Sequence, residues 1–275
     1  MPDTQAFEKM EREGWSAPEI AAGYANGFDT ATTVAARHLA DVVKAGPQKA
    51  ILDLCTGYGV VAAELLARGA SVTALDFSLA MIALAQKTAP GARVVQGDAM
   101  AMDFADGSFH GVTIGFGVPH FPDPALGLIE AARVLKPGGR IAFSIWCGKG
   151  SDGAFGWLFD AVGRLGDPTV TLPPGPDAHL LADSAVAKAM VADAGFSDAQ
   201  SVEVPTALSV LAPESLFDVF DQGAVRAASL LGNQPSALRD AIRADLAART
   251  RSEGLEVSEG FQIPAPCVIV SAVRK

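Results

Sequence analysis

The sequence predicts an α/β fold built on a mostly parallel, doubly wound sheet, and three observations carry this expectation. Strand-like and helix-like runs alternate from about Ala50 to Trp146, the pattern of a parallel sheet covered on both faces. Hydrophobic residues make up 49% of the 275, enough for a full core. The first strand-like run leads into a turn carrying Gly57 and Gly59, the place where open parallel sheets bind ligands.

"AILDLC" reads as a strand, and "GVVAAELLARG" as a helix ending at Gly69. "SVTALD" is the next strand, followed by the helix "SLAMIALAQKTA" with Ser78 as its N-cap. "ARVVQGD" and "GVTIGFG" are the third and fourth strands. The helix "ALGLIEAARVL" is stopped by Pro137, Gly138 and Gly139, and "GRIAFSIW" is the fifth strand. The pattern then loosens, with "TLPPGPDAHLL" a loop by composition. "SAVAKAMVADAGF" reads as a helix and "SVEVPTALSVL" as a strand-like return. "PESLFDVFDQGAVRAASLLG" and "PSALRDAIRADLAARTRSEG" read as two amphipathic helices, and "PCVIVSAVRK" as the closing strand.

Composition narrows the function. Lys and Arg number 21 against 31 Asp and Glu, a net charge of −10 that repels phosphate backbones and anionic lipid. A nucleic-acid partner is not expected. Cys55, Cys147 and Cys267 are far apart and show neither disulfide nor zinc-ligand spacing, so no metal is expected. The polar start "MPDTQAFEKMEREGW" is unlike a signal peptide, and no apolar run spans a bilayer. A cytoplasmic location is expected.

The stretch "ILDLCTGYGV" poses the central question. Gly57-x-Gly59-x-x-Ala62, with Asp76 about 20 residues on, fits a dinucleotide fingerprint and so an oxidoreductase. Three features favour a different cofactor. Asp53 lies inside the first strand, where a pyrophosphate gains nothing from a carboxylate but a sulfonium cofactor with an ammonium group can use one, directly or through water. Asp98, in "GDA", follows the third strand, where a carboxylate can accept from an adenine amino group. The third is the helix–turn–strand "RVLKPGGRIAFSIW".

With "ILDLCTGYG", "ALDFSLAMIALAQ" and "VVQGDAMAMDFADGSFHGVTIGFGVPHFPDP", that last run resembles the class I S-adenosylmethionine-dependent methyltransferases, over about Ala50 to Trp146. The likeness is greatest to small-molecule enzymes of the ubiquinone/menaquinone-biosynthesis type. It implies a Rossmann-like, seven-stranded sheet with an antiparallel last strand, and methyl transfer to a small acceptor with S-adenosylhomocysteine as product. A protein of this fold that binds the cofactor without methylating is the alternative. The resemblance implies that Gly57 and Gly59 shape the turn against the cofactor's amino-acid portion, beside Asp53. Asp76 binds the ribose hydroxyls, Phe77 and Met81 flank the adenine, and Asp98 with the Ala99 backbone reads its edge. Gly115, Phe116 and Gly117 face the transferring methyl, and Tyr24 matches a lid tyrosine. Cys55 stands where the family has glycine. A thiol is small, and only φ > 0 or backbone contact would exclude it, so tolerance with somewhat tighter packing is expected.

His120, in "GVPHFPDP", is the candidate general base, while His38, His110 and His179 have structural or surface roles. Trp146, Trp157, Phe217 and Phe220 are candidate apolar lining for the acceptor, or plain core. The expected organisation is a helical lid over residues 1–45, a core over 46–210 and 261–275 with an excursion at about 150–182, and a helical insert over 211–260. A monomer or homodimer is expected.

Overall fold

The computed structural model describes residues 4–275. Its strands are β1 (Ala50–Leu54), β2 (Ser71–Asp76), β3 (Arg93–Gln96), β4 (Phe109–Gly115), β5 (Leu135–Trp146), β6 (Phe196–Val204), β7 (Ala207–Val210), β8 (Leu255–Val257), β9 (Gly260–Pro264) and β10 (Cys267–Arg274). Its α-helices are α1 (Gln5–Ser16), α2 (Pro18–Val42), α3 (Val60–Ala67), α4 (Leu79–Thr88), α5 (Pro124–Val134), α6 (Ala154–Leu165), α7 (Ser184–Asp193), α8 (Ser215–Gly223), α9 (Val225–Gly232) and α10 (Ser236–Glu253).

The chain forms two compact units. The larger comprises Thr32–Ile145, Pro176–Val204 and Cys267–Lys275. It holds a seven-stranded sheet in the order β3-β2-β1-β4-β5-β10-β6. β1 pairs in parallel with β2 and β4, β2 with β3, and β4 with β5, while β10 runs antiparallel to β6. The expected fold class is therefore the observed one. β1 is buried throughout after Ala50, and Ile51, Leu52 and Leu54 have no more than 0% exposure, as a central strand covered on both faces requires.

Local chemistry sets the helix boundaries around this sheet. The Ser78 hydroxyl accepts from the Met81 N–H at 3.1 Å and starts α4, a cap worth about 1 kcal/mol. Asp123 caps α5 in the same way through the Leu126 N–H at 3.0 Å, with Pro124 at the first helical position. α5 ends at Val134, and β5 already begins at Leu135, so the Pro137–Gly139 run lies inside the strand rather than in a separate turn. At the opposite end of β1, His110 Nδ1 accepts from the Ala50 N–H at 3.1 Å, and Lys136 Nζ lies 3.0 Å from its Nε2.

The smaller unit comprises residues 4–31, Trp146–Gly175 and Pro205–Pro266. Here the observed boundaries differ from those expected. α2 divides between the units at Ala31 and Thr32, so the expected 1–45 segment is not one piece. The excursion after Trp146 contains α6, whose Phe155, Trp157, Leu158 and Ala161 are buried; Gly156 and Gly163 mask its helical pattern in the sequence. The strand-like return splits at Pro205, where a missing N–H ends the ladder, and its second half, β7, leaves the main sheet for a small antiparallel one, β7-β9-β8. Residues 261–264, expected in the core, are part of that small sheet. The first of the two expected insert helices is two, α8 and α9, broken at Ala224 with φ −134° and ψ 108°. Beside the break two backbones run close: a Cβ on Gly223 would lie 3.0 Å from the Gly23 backbone, and one on Gly23 only 2.1 Å from the Gln222 carbonyl. α2 and α8 thus meet through glycines.

Burial, then the charges of Lys136 and Lys49, hold the His110 imidazole below its ordinary 6.5. A base whose folded pKa is depressed contributes stability that is complete above 6.5 and is lost as pH falls through the folded value. Thermal unfolding of wild type and His110→Gln from about pH 8 to about pH 5 checks this. The wild-type Tm should decline relative to the variant below the ordinary histidine pKa, and parallel curves would contradict it.

Candidate functional site

The strand order reverses between β1 and β4, and their carboxyl ends open at the same sheet edge. Four segments meet that edge: Cys55–Gly59 after β1, Asp76–Ser78 after β2, Gly97–Ala99 after β3 and Phe116–His120 after β4. This is the switch-point crevice of an open α/β sheet.

The β1 turn is built on a buried carboxylate. Asp53 is fully buried; its Oδ2 accepts from the Thr56 hydroxyl at 2.6 Å and its Oδ1 from the Thr113 hydroxyl on β4 at 2.9 Å. The Ala62 N–H of α3 also points to it. Burial dominates and pushes this carboxyl up to about 7, against those hydrogen bonds. Asp53 has no exposed surface, and these hydrogen bonds make it a shaping element of the turn.

Above it, Cys55, Gly57 and Gly59 have φ of 56°, 54° and 92°. Left-handed backbone explains a preference for glycine at position 55, and the thiol is accommodated there at a cost of about 1–2 kcal/mol. Burial, then the carboxylates of Asp76, Asp53 and Asp98, push the Cys55 thiol well up, so it stays protonated and is no nucleophile. The two glycines differ in purpose. A Cβ on Gly59 would lie 2.9 Å from Ala85 Cα, so this glycine serves the packing of the turn on α4. A Cβ on Gly57 would meet nothing within 4 Å, which leaves its backbone open to a ligand.

Asp76 sits at the end of β2, where Oδ2 accepts from the Gly57 N–H and Oδ1 from the Ser78 N–H, both at 2.9 Å. Burial raises this carboxyl; the N–H groups of Ser78, Gly57 and Phe77 and the neighbouring His120 pull it down. Asp76 and His120 lie on segments that open at the same sheet edge. Phe77 is half-buried, with its carbonyl receiving Gln96 Nε2 at 3.1 Å, and Met81 is buried on α4. Asp98 forms an Asx turn, Oδ1 accepting from the Met100 N–H at 2.8 Å, and Ala99 is buried beside it. The loop beyond is clamped from α5. Glu130 accepts from the Met102 N–H at 3.0 Å, and Arg133 donates to the Met102 and Phe104 carbonyls at 2.8 and 2.6 Å.

After β4, Phe116 has φ 58°, a conformation that a bulky residue rarely adopts, held by its N–H on the Ser144 hydroxyl at 3.0 Å. Gly115 and Gly117 turn their missing side chains towards Val61 and Cys55, so both serve packing. A short 3-10 turn, Val118–His120, then presents the half-buried His120. Tyr58, between the two glycines, shares a 2.6 Å hydroxyl–hydroxyl hydrogen bond with Thr32 of α2.

The other expected residues lie in the smaller unit. Tyr24 stacks on Phe28 with centroids 4.9 Å apart and meets Trp15 edge-on at 5.3 Å; burial raises its phenol. Trp146 stacks on Phe155 at 5.2 Å, and Phe28 and Phe155 both contact Phe220. Trp157, Phe217 and Phe220 are fully buried within the unit, with Arg243 4.0 Å above the Phe217 ring.

Known proteins share this crevice-bearing region. Residues 52–143 match the family described as a methyltransferase domain. A demethylmenaquinone methyltransferase from Beutenbergia cavernae is 42% identical over 101 residues, 37% of this chain and 42% of that protein. One from Mycolicibacterium vanbaalenii is 36% identical over 140 residues, 48% of this chain and 60% of that protein. The chain thus spans about half the length of these relatives. Among solved structures, geranyl diphosphate C-methyltransferase from Streptomyces coelicolor, bound to S-adenosyl-L-homocysteine, shares the fold at 15% identity and TM-score 0.51, over 88% of this chain and 76% of that one. A phosphoethanolamine N-methyltransferase from Haemonchus contortus, bound to S-adenosyl-L-methionine, does so at 16% identity and TM-score 0.57, over 98% and 60%.

Sequence reasoning missed several groups that build the crevice. Thr56, Thr113 and Ser144 are ordinary strand or turn residues in the sequence, yet each supplies a buried hydroxyl. The Tyr58–Thr32 bond joins residues 26 apart. Two signals were available: the tyrosine inside a glycine turn and the Glu130–Arg133 spacing on one helix face. Among the described residues no helix is long and apolar enough to cross a membrane.

An acid whose folded pKa is raised contributes stability below its unfolded value that is lost as pH rises through the folded one. For Asp53 that window runs from 3.8 to about 7. Urea unfolding of wild type and Asp53→Asn across this window should show the variant gaining relative stability as pH rises, then levelling. A constant difference would show that the carboxyl titrates normally.

Proposed function

We propose that this chain is an S-adenosylmethionine-dependent methyltransferase acting on a small, largely apolar organic acceptor. The observation that carries the reading is the Asp76 carboxylate at the end of β2, oriented by the Gly57 and Ser78 N–H groups beside the open backbone of Gly57. A dinucleotide pyrophosphate would be repelled there, whereas a cofactor bearing sulfonium and ammonium charge is favoured. The open space beside Gly57 suits close approach of its amino-acid portion. When bound, the cofactor supplies an electrophilic methyl on a positively charged sulfur.

The chain's own residues do the rest. Asp76 receives the ribose hydroxyls while keeping the Gly57 and Ser78 N–H groups. Phe77 and Met81 flank the adenine, and Asp98 and the Ala99 N–H read its edge. Gly115, Phe116 and Gly117 border the reacting centre, and His120 takes the proton of an acceptor that arrives protonated. Holding the acceptor in line and excluding water supply much of the rate. We take the acceptor to be small and largely apolar. The quinone named in the relatives' description, demethylmenaquinone, belongs to that class. We read the protein as cytoplasmic, monomeric or homodimeric, with no nucleic-acid partner, in keeping with its charge of −10.

Calorimetric titration with S-adenosylmethionine, S-adenosylhomocysteine and NAD tests the cofactor. The two adenosyl ligands should bind with NAD silent, and preference for NAD would overturn the reading. Asp76→Ala should weaken S-adenosylhomocysteine by about tenfold or more, since a charged hydrogen-bond partner is lost. Unchanged affinity would remove the ribose role. With radiolabelled methyl and a panel of quinols and phenols, His120→Asn should lower kcat by about 100-fold while leaving S-adenosylhomocysteine affinity intact. A kcat within about twofold of wild type would exclude a general base at this position.

A further inference from the structure

We propose that Cys55 is a positioning residue for His120, acting through Gly117. Local preference argues against a side chain at position 55, because φ there is 56° and glycine would be unstrained. What the side chain gains is contact across the switch point. A Cβ on Gly117 would lie 2.6 Å from Cys55 Cβ and 3.1 Å from its Sγ, with Ile114 Cγ2 at 2.9 Å. Cys55 therefore lies flat against the Gly117 backbone and occupies the room that any larger residue at 117 would need.

The segment that follows hangs from Gly117. The His120 N–H donates to the Gly117 carbonyl at 3.0 Å, and the Phe121 N–H to the Val118 carbonyl at 3.1 Å. The rest of the segment is fixed independently. On one side the Phe116 N–H is held by Ser144; on the other the Phe121 ring occupies the space where a Gly127 side chain would stand, 2.5 Å from that glycine's would-be Cβ. Between these anchors, the thiol side chain sets how far Gly117 can settle towards β1, and with it the height of the His120 turn. Removing the Cys55 side chain lets Gly117 drop and His120 move, with both outer anchors in place. The inference rests on the methyl-transfer reading only in making His120 the group whose placement matters.

The test uses the full chain. Ring resonances of the four histidines are followed by NMR, with His120→Asn assigning the one of interest. Cys55→Gly should shift the His120 signals and leave His38, His110 and His179 in place. Cys55→Ser, which keeps the Cβ and a γ atom, should restore the wild-type position. An unmoved His120, or equal movement of all four, overturns the proposal. A second measurement reads the contact itself. Gly117→Ala should lower Tm by about 4–8 °C in wild type, by overpacking, and by at most about half as much in Cys55→Gly. Equal losses in the two backgrounds also overturn it. Absence of S-adenosylhomocysteine binding to wild type would remove the functional reading while leaving both structural outcomes standing.

Discussion

The ligand-binding edge of the larger unit depends on one buried carboxylate. Asp53 stands in the central strand with no exposed surface, where an unpaired charge would be strongly destabilising. It is tolerated because the hydroxyls of Thr56 and Thr113 and the Ala62 N–H converge on it. Those partners belong to the turn, to β4 and to α3. One side chain thereby fixes the turn's path, its register against the neighbouring strand and the start of the following helix. Everything the crevice offers a ligand is placed relative to these three bonds.

Strain above that carboxylate has a structural counterpart. Cys55 and Phe116 both adopt left-handed backbone at the ends of adjacent strands, each at a cost of about 1–2 kcal/mol. Neither is isolated: Phe116 is held by Ser144, and Cys55 faces a glycine that has given up its own side chain. Small residues elsewhere follow the same logic. Gly59 admits Ala85, Gly127 admits the Phe121 ring, and in the smaller unit Gly23 and Gly223 bring two helices into backbone contact. Close approach, more than turn flexibility, explains most of these glycines.

The crevice is acidic within an acidic protein, and the balance is local. Asp76 spends its oxygens on the Gly57 and Ser78 N–H groups, so its charge is oriented as well as retained. The Arg133 guanidinium is turned onto Glu130, Asp106 and two carbonyls, where it clamps the loop beyond Asp98. Such charge-assisted bonds are among the stronger ones a protein makes, typically about 1.5–3 kcal/mol each.

The order of strands and helices through Trp146, the acid at the end of β2 and the glycine turn were legible because each is written in consecutive residues. Periodicity distinguishes strand from helix, and the spacing from Gly57 to Asp76 follows from one helix between two strands. Residues 146–266 were less legible. Gly156 and Gly163 disguise α6, Ala224 divides what reads as one amphipathic helix, and β9 finds its partner β7 some fifty residues away. The sequence by itself determined the sheet, its ligand-binding edge and the residue types that line it. Only the tertiary structure decided that Asp53 is sealed from solvent, that position 55 is left-handed, and that Gly59 and Gly117 serve packing while Gly57 stays open. The reason is physical: burial, backbone dihedral and close approach belong to pairs of residues brought together by folding, and no local pattern records which pair will meet.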